Sequence, residues 1–373
     1  MDALTTPSNW QKVKLGDIGR PCMCKRVMKH QTTRYGEIPF YKIGTFGNTA
    51  DAFISKKLFL EYKTKYSFPK KGDILISASG TIGRAVIYDG KPAYFQDSNI
   101  VWIDNDEILV KNDFLFYAYS NIKWNTEHTT ILRLYNDNFR NTLIPLPPLN
   151  EQIAIANILS DADRYLFSLD ALILKKESVK KALSFELLSQ RKRLKGFNQA
   201  WQRVKLGDIA NYLTSNLSAE QITQQGKIKV YDVNNFIGYT NTTFISDKPY
   251  ISIVKDGSVG RVRILPPKTN ILSTMGALVA NHKTTTEFLF YLLSNFDFKN
   301  FTSGSIIPHI YFKDYKEKTI FLPPLNEQIA IANILSDLDH EIISLKNKKR
   351  QFENIKKALN HDLMSAKIRV LKK

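Results

Sequence analysis

The chain has 373 residues, room for two or more domains, and 43% of them are hydrophobic, enough for substantial cores. Its 53 Lys plus Arg stand against 35 Asp plus Glu, a formal charge of +18 that suits a polyanion, of which nucleic acid is the commonest. An acidic membrane surface would also suit that charge, but no apolar run approaches the ~20 residues of a membrane span, so no membrane partner is expected.

The N-terminal stretch MDALTTPSNWQKVKLG has no signal-peptide hydrophobic region. The two cysteines, Cys22 and Cys24, are too close to staple a large fold. Together these features point to the reducing cytoplasm. From Trp10 to Ile18 the chain reads WQKVKLGDI. The block that follows, to about Pro148, is strand-like and broken by turns. Ile38 to Ile43 is an extended segment closed by Gly44. Asp73 to Ser77, Ala85 to Tyr88 and Asn99 to Ile103 read as apolar strands, and Asp89-Gly90 ends the second. Phe114 to Tyr119 is apolar all round and suits a buried helix.

Pro145, Pro147 and Pro148 then stop any earlier element. Asn150 is the expected N-cap, and Glu151 puts negative charge in the first helical turn. Ile155, Leu159, Ala162, Leu166, Leu169 and Ile173 recur at alternating steps of four and three, a heptad seam that buries itself against another helix. No proline or glycine interrupts the run from Leu149 to Lys195, which Gly196 ends; a continuous helix there would span roughly 70 Å.

The same grammar then repeats. Trp201 to Ile209 reads WQRVKLGDI, and Leu322 to Asp337 repeats Leu146 to Asp161, LPPLNEQIAIANILSD, residue for residue. Ile331, Leu335, Leu338, Ile342 and Leu345 repeat the seam, extended by Phe352, Ile355, Leu359 and Leu363. The two middle blocks agree only at landmarks. Ser79-Gly80-Thr81-Ile82-Gly83-Arg84 corresponds to Asp256-Gly257-Ser258-Val259-Gly260-Arg261. The expected fold is therefore α+β: two mixed α/β domains, 1–148 and 197–324, alternate with two long helical segments, 149–196 and 325–373. The helices pair as an antiparallel coiled coil, giving a pseudo-two-fold internal repeat.

Catalytic motifs are absent. There is no G-x-x-x-x-G-K-[ST] and no G-x-G-x-x-G after a strand. The Pro-Pro pairs are followed by Leu, so no N-P-P-Y or D-P-P-Y motif grips a target base. Cys22, Cys24 and His30 make a poor zinc site, since one C-x-C pair lacks a partner pair; no metal is expected. Glu61 and Asp73 read as surface charge. No residue is assigned a catalytic role. What remains is recognition chemistry. Lys25, Arg26, Lys29, Arg34 and Tyr35 form a basic cluster with an aromatic, joined by Lys42. Arg84 and Arg261 each follow a glycine-rich turn, whose amides can approach phosphate and whose arginine can reach a guanine edge. Ser79, Thr81, Lys255 and Ser258 belong to the same turns. Arg133, Tyr135, Asn136 and Asn138 form a polar, aromatic cluster, and His309 with Tyr311 forms another. A turn glycine and a solvated arginine are the plain alternative at each turn, phosphate contact or loop capping the alternative for the asparagines, and a structural histidine the alternative for His309. The lysine-rich stretches at Lys175-Lys176, Lys180-Lys181 and Lys346 to Arg350 read as solvated helix faces.

These residues carry a resemblance to the specificity subunit of type I restriction–modification enzymes. Its elements are the W-x-x-V-K-L-G-D-I entry at Trp10 and Trp201, G-D-I-L-I-S-x-S-G-T-I-G-R from Gly72 to Arg84 with its shorter counterpart at Ile253 to Arg261, and the L-P-P-L-N-E-Q-I-A-I-A exit, twice. Gly304 to Ile310 also resembles that family's approach to the exit. The resemblance implies that 1–148 and 197–324 are target recognition domains, each reading half of a split double-stranded DNA site. It implies that the helices are a spacer, and that Leu149, Ile155, Leu159, Leu166, Leu325, Ile331, Leu335 and Ile342 serve spacing and subunit docking. Two methyltransferase subunits and restriction/translocase subunits would be the partners. S-adenosylmethionine, ATP and magnesium would bind those partners, with no cofactor in this chain. A self-sufficient nuclease, a stand-alone DNA-binding regulator and a specificity subunit of a related methyltransferase or nuclease system are the alternatives.

Overall fold

The computed structural model describes residues 10–128, 132–304 and 306–370. Two compact units share the chain; the first is built from two separate segments, and the second is one continuous stretch. The first is Met1–Leu169 together with Lys349–Lys373; the second is Asp170–Lys348. Each long helix, Leu149–Leu188 and Leu325–Met364, is therefore divided between them.

In the first unit Gly19–Met23, Ile100–Asn105, Ile74–Ser77 and Ala85–Ile87 lie side by side in an antiparallel sheet. Phe53–Ile54, Ile38–Tyr41 and Tyr94–Phe95 form a mixed sheet, whose last pair is parallel. The second unit repeats both sheets: Ala210–Thr214, Met275–Ala280, Tyr250–Val254 and Val262–Leu265 in one, Phe236–Thr240, Ile228–Tyr231 and Asn270–Ile271 in the other. Ile74–Ser77 and Tyr250–Val254 are buried at every residue, in keeping with their mostly apolar sequences. The expected apolar helix is Asn112–Tyr119, with Phe114, Leu115, Ala118 and Tyr119 all buried; Thr286–Ser294 is its counterpart.

The repeated words build a joint. The entry strand pairs antiparallel with the exit strand, Gln11–Lys14 with Leu143–Leu146 and Gln202–Lys205 with Thr319–Leu322. At the start of each helix a buried glutamate collects the joint. Glu151 accepts from Trp10 Nε1 at 3.0 Å and from Arg369 at 2.6 and 2.9 Å. Glu327 accepts from Trp201 Nε1 at 3.0 Å and from Arg193 at 3.2 and 2.6 Å. Both carboxylates are at most 2% exposed, so the ion pairs and indole bonds replace lost hydration. Gln152 and Gln328 tie in the loop ahead of the short helix: Gln152 Oε1 accepts from Lys111 N, and Gln328 Oε1 from Thr284 Oγ1. Gln152 Nε2 also donates to Pro147 O, and Gln328 Nε2 to Pro323 O.

Within each unit the two helix portions run antiparallel. In the first, Tyr165 packs on Phe352 at 4.6 Å, and Asp163 accepts from Tyr117 Oη and Lys356 Nζ. In the second, Asp339 accepts from Tyr291 Oη at 2.9 Å and Lys180 Nζ at 2.5 Å, and Lys176 meets Glu341 at 2.8 Å. Four expectations are corrected. The N-cap is the proline, not Asn150: Pro148 O accepts from Glu151 N and Gln152 N, while Asn150 Oδ1 bonds Glu151 N from inside the first turn. The first helix stops at Leu188 rather than near Lys195, because Gln190 turns left-handed (φ 61°) and lets Arg193 reach Glu327. Ile355 is exposed, since Lys356 takes the inward place to reach Asp163. Asp73 is buried, and its carboxylate accepts from Lys70 N at 2.7 Å; burial raises its pKa.

Candidate nucleic-acid interface

In the first unit a concave surface of about 870 Å3 is lined by Arg26, Lys29, Lys42 and Arg133, with Gln96, Asp97, Ser98 and Asn99 along its floor. The fold brings these cations together from two separate loops and a strand end. Arg26 reaches Asp97 at 3.6 Å and Lys42 reaches Asp51 at 2.8 Å, so two of the four are already held in place. The floor is built by side chains that no spacing announced. Gln96 Oε1 accepts from Ile43 N at 2.9 Å, Asn99 Oδ1 accepts from Ser79 Oγ at 2.7 Å, and Ser98 sits at φ 48° between them.

Other members of the expected cluster lie elsewhere. Lys25 sits over the Tyr66 ring at 5.1 Å. Arg34 and Tyr35 are on an exposed tip, Tyr35 at 87% exposure. Tyr135 is exposed, and Asn136 starts a short helix, Asn136–Asn141.

The glycine-rich turns bond several of their amides to the protein itself. Gly80 N–H donates to Leu132 O, Ile82 N–H to Gly80 O and Gly83 N–H to Ser77 O. In the second unit Gly257, Val259 and Gly260 donate to Pro308 O, Gly257 O and Val254 O. These amides are committed to the turn and to the segment beside it. The first glycine of each turn is needed for its backbone: Gly80 and Gly257 sit at φ 66° and 82° with open space around the missing Cβ. The second is needed for space as well. A Cβ on Gly83 would overlap Trp124 Nε1, and one on Gly260 would fall 2.6 Å from Phe298 Cδ2. The arginines, too, are partly spent. Arg84 Nη1 donates to Phe46 O at 2.9 Å and Arg261 Nη2 to Asn234 Oδ1 at 2.8 Å, each pinning a neighbouring loop. Ser79 is buried, so its hydroxyl faces Asn99 rather than a ligand; Thr81 and Ser258 are exposed, and Lys255 is half-buried.

The second unit's concave surface, about 330 Å3, is lined by hydroxyl and amide side chains, among them Thr214, Ser215, Asn216, Thr242, Thr243 and Asn270. The unit's distinctive group is His309, whose Nδ1 lies 2.6 Å from Asp256 Oδ1 and whose ring stacks on Tyr311 at 6.5 Å. Cys22 and Cys24 belong to the first unit's core, where burial pushes the Cys24 thiol up to about 12. Among the described residues no group of three or more His, Cys, Asp or Glu is placed to hold a metal, and no helix is long and apolar enough to cross a membrane.

Residues 7–177 and 198–354 each match the family model described as type I restriction modification DNA specificity domain. The chain belongs to that family. A Haemophilus influenzae protein described as a type I restriction enzyme specificity subunit is 63% identical over 148 residues, 39% of this chain and 38% of that one. The type I restriction enzyme MjaVIII specificity subunit of Methanocaldococcus jannaschii is 26% identical across 99% of this chain and 95% of its own. The fold is similar to the crystal structure of a type I restriction-modification system S subunit from M. genitalium, with a TM-score of 0.62, 20% identity, and coverage of 98% and 99% of the two chains.

The specificity-domain frame also leaves an apolar face uncovered, at matching places in its two copies. Leu149, Ile153, Phe167 and Ile355 are exposed in the first unit; Leu325, Ile329, Ile343 and Val179 in the second. Of the residues expected to serve spacing and subunit docking, Ile155, Leu159, Ile331, Leu335 and Ile342 are buried in their own units. Leu166 is half-buried, while Leu149 and Leu325 remain open.

Proposed function

We propose that this chain is the DNA-reading, non-catalytic subunit of a type I restriction–modification complex. The recognition segments, 1–148 and 197–324, each read one half of a bipartite, asymmetric target. The observation that carries this reading is one frame built twice around two unlike surfaces: a basic cradle in one unit, and in the other a neutral hollow and, at a separate place, the His309–Asp256 pair. Identical surfaces would read a palindrome; unlike ones read two different half-sites. Half-sites about one helical turn apart can be read from one side of the duplex. Phosphate contacts supply most of the affinity and its salt dependence, and a few side chains supply the sequence preference.

Two methyltransferase subunits dock on the repeated frame, a role supported by the duplicated exposed face at Leu149, Ile153 and Phe167 and at Leu325, Ile329 and Ile343. Restriction/translocase subunits complete the complex. S-adenosylmethionine, ATP and magnesium act on those partners. The long helices act as the spacer, so added helical turns should change the gap in the target and leave the half-sites alone.

The test is co-expression with a type I methyltransferase subunit, followed by sequencing of methylated motifs. A split motif that needs both chains supports the reading. Duplex binding without any complex or new methylation would make the chain a lone DNA-binding regulator instead.

A further inference from the structure

In both units the glycine-rich turn meets the same short return segment. Ser79 lies opposite Arg133, and Asp256 lies opposite His309. The backbone bonds match: Gly80 N–H donates to Leu132 O and Leu134 N–H to Ala78 O, while Gly257 N–H donates to Pro308 O and Ile310 N–H to Lys255 O. Leu134 and Ile310 are buried beneath the segment. Alternation then turns the residues on either side of them outward. Those outward residues are Tyr135 and Tyr311 in one place, and Arg133 and His309 in the other. Backbone and flanks are shared, and the side chain at the tip is what differs.

Their surroundings differ in step. Asp256 Oδ1 lies 2.6 Å from His309 Nδ1. A carboxylate accepts hydrogen bonds, so Nδ1 carries the proton whether the ring is neutral or charged. Nε2 is then the ring nitrogen turned to other partners. In the first unit Ser79 donates to Asn99 instead, and Arg133 is exposed on the wall of the basic cradle.

We propose that positions 133 and 309 are the same specificity-determining position in the two readers. Arg133 presents a two-donor fork that matches O6 and N7 of a guanine in the major groove. His309 presents a single nitrogen, Nε2, to one base edge. Asp256 is a positioning residue that holds the ring in one tautomer. This inference rests on the DNA-reading role proposed above.

The experiment co-expresses the full chain with a type I methyltransferase subunit and sequences the methylated motifs. Arg133→Lys keeps the charge and loses the fork. It should make one base pair of one half-site degenerate, discrimination there falling about 5- to 150-fold, with the other half unchanged. His309→Ala, or His309→Gln if the alanine variant does not fold, should relax one base pair of the other half-site. The paired change Asp256→Ser with His309→Arg should install a guanine preference at that base pair. Nitrogen-15 spectra of labelled histidine should show protonated Nδ1 in the parent and a tautomer mixture in Asp256→Asn. Folded variants that methylate the parent motif with unchanged discrimination overturn the inference. So does an Arg133→Lys protein that behaves as the parent while Arg133→Ala weakens binding to all sequences alike, the signature of a phosphate contact. If the parent chain yields no motif and binds no duplex, the DNA-reading role itself has failed.

Discussion

The two units share a frame almost atom for atom at the joint and diverge at the surfaces the frame carries. Trp10, Glu151 and Arg369 in one unit repeat as Trp201, Glu327 and Arg193 in the other. Against that constancy, Arg26, Lys29, Lys42 and Arg133 line the hollow of the first unit, and hydroxyl and amide groups line that of the second. The difference shows where the molecule is restrained. Buried charge with few partners tolerates little change, while an exposed hollow can be relined without disturbing the fold beneath it.

The joint carries the largest expected effects. Arg193→Ala or Arg369→Ala leaves a buried carboxylate short of its ion partner. Each should destabilise its unit by about 3–5 kcal/mol, read as a lowered denaturant midpoint. Unequal losses would show that the two joints are not energetically equivalent. Gly83→Ala and Gly260→Ala come next. Each forces Cβ against an aromatic ring on a left-handed backbone, and each should cost about 1–3 kcal/mol by the same measurement. Gly80→Ala and Gly257→Ala meet only the backbone term and should cost less, about 1 kcal/mol.

Smaller effects sharpen the contrast between the surfaces. Lys29→Ala should lower the slope of log affinity against log salt by about one, whereas Thr242→Ala in the second unit should leave the slope alone. Equal slopes would place the phosphate contacts outside the cradle. Ile153→Ser and Ile329→Ser should change stability by no more than about 0.5 kcal/mol, because both side chains are exposed. They should nevertheless weaken co-purification of the methyltransferase subunit. Retained co-purification in the double variant would remove the exposed face from the docking surface.

Much of the fold was legible in the chain. The strands Ile74–Ser77, Ala85–Ile87 and Ile100–Asn105, the buried helix Asn112–Tyr119 and both long helices follow from local apolar patterns. Of the recognition residues, Arg26, Lys29, Lys42 and Arg133 do converge, although Arg133 is far from the others in sequence. Arg84, Arg261 and Ser79 also bond the protein itself, which no spacing in the sequence announced. A polar side chain beside a turn can satisfy itself on the protein, and only the arrangement of neighbouring loops decides whether it does.

By itself the sequence determined that the chain is a duplicated α+β frame carrying two unlike blocks, since exact repetition and apolar period are properties of the string. Tertiary structure decided the rest. It divided each helix between two units, turned Glu151 and Glu327 from first-turn charges into buried anchors, and put His309 against Asp256. Those outcomes depend on which distant groups meet in a low-dielectric interior, where an unpaired charge is costly and a paired one is held. No local pattern encodes that meeting.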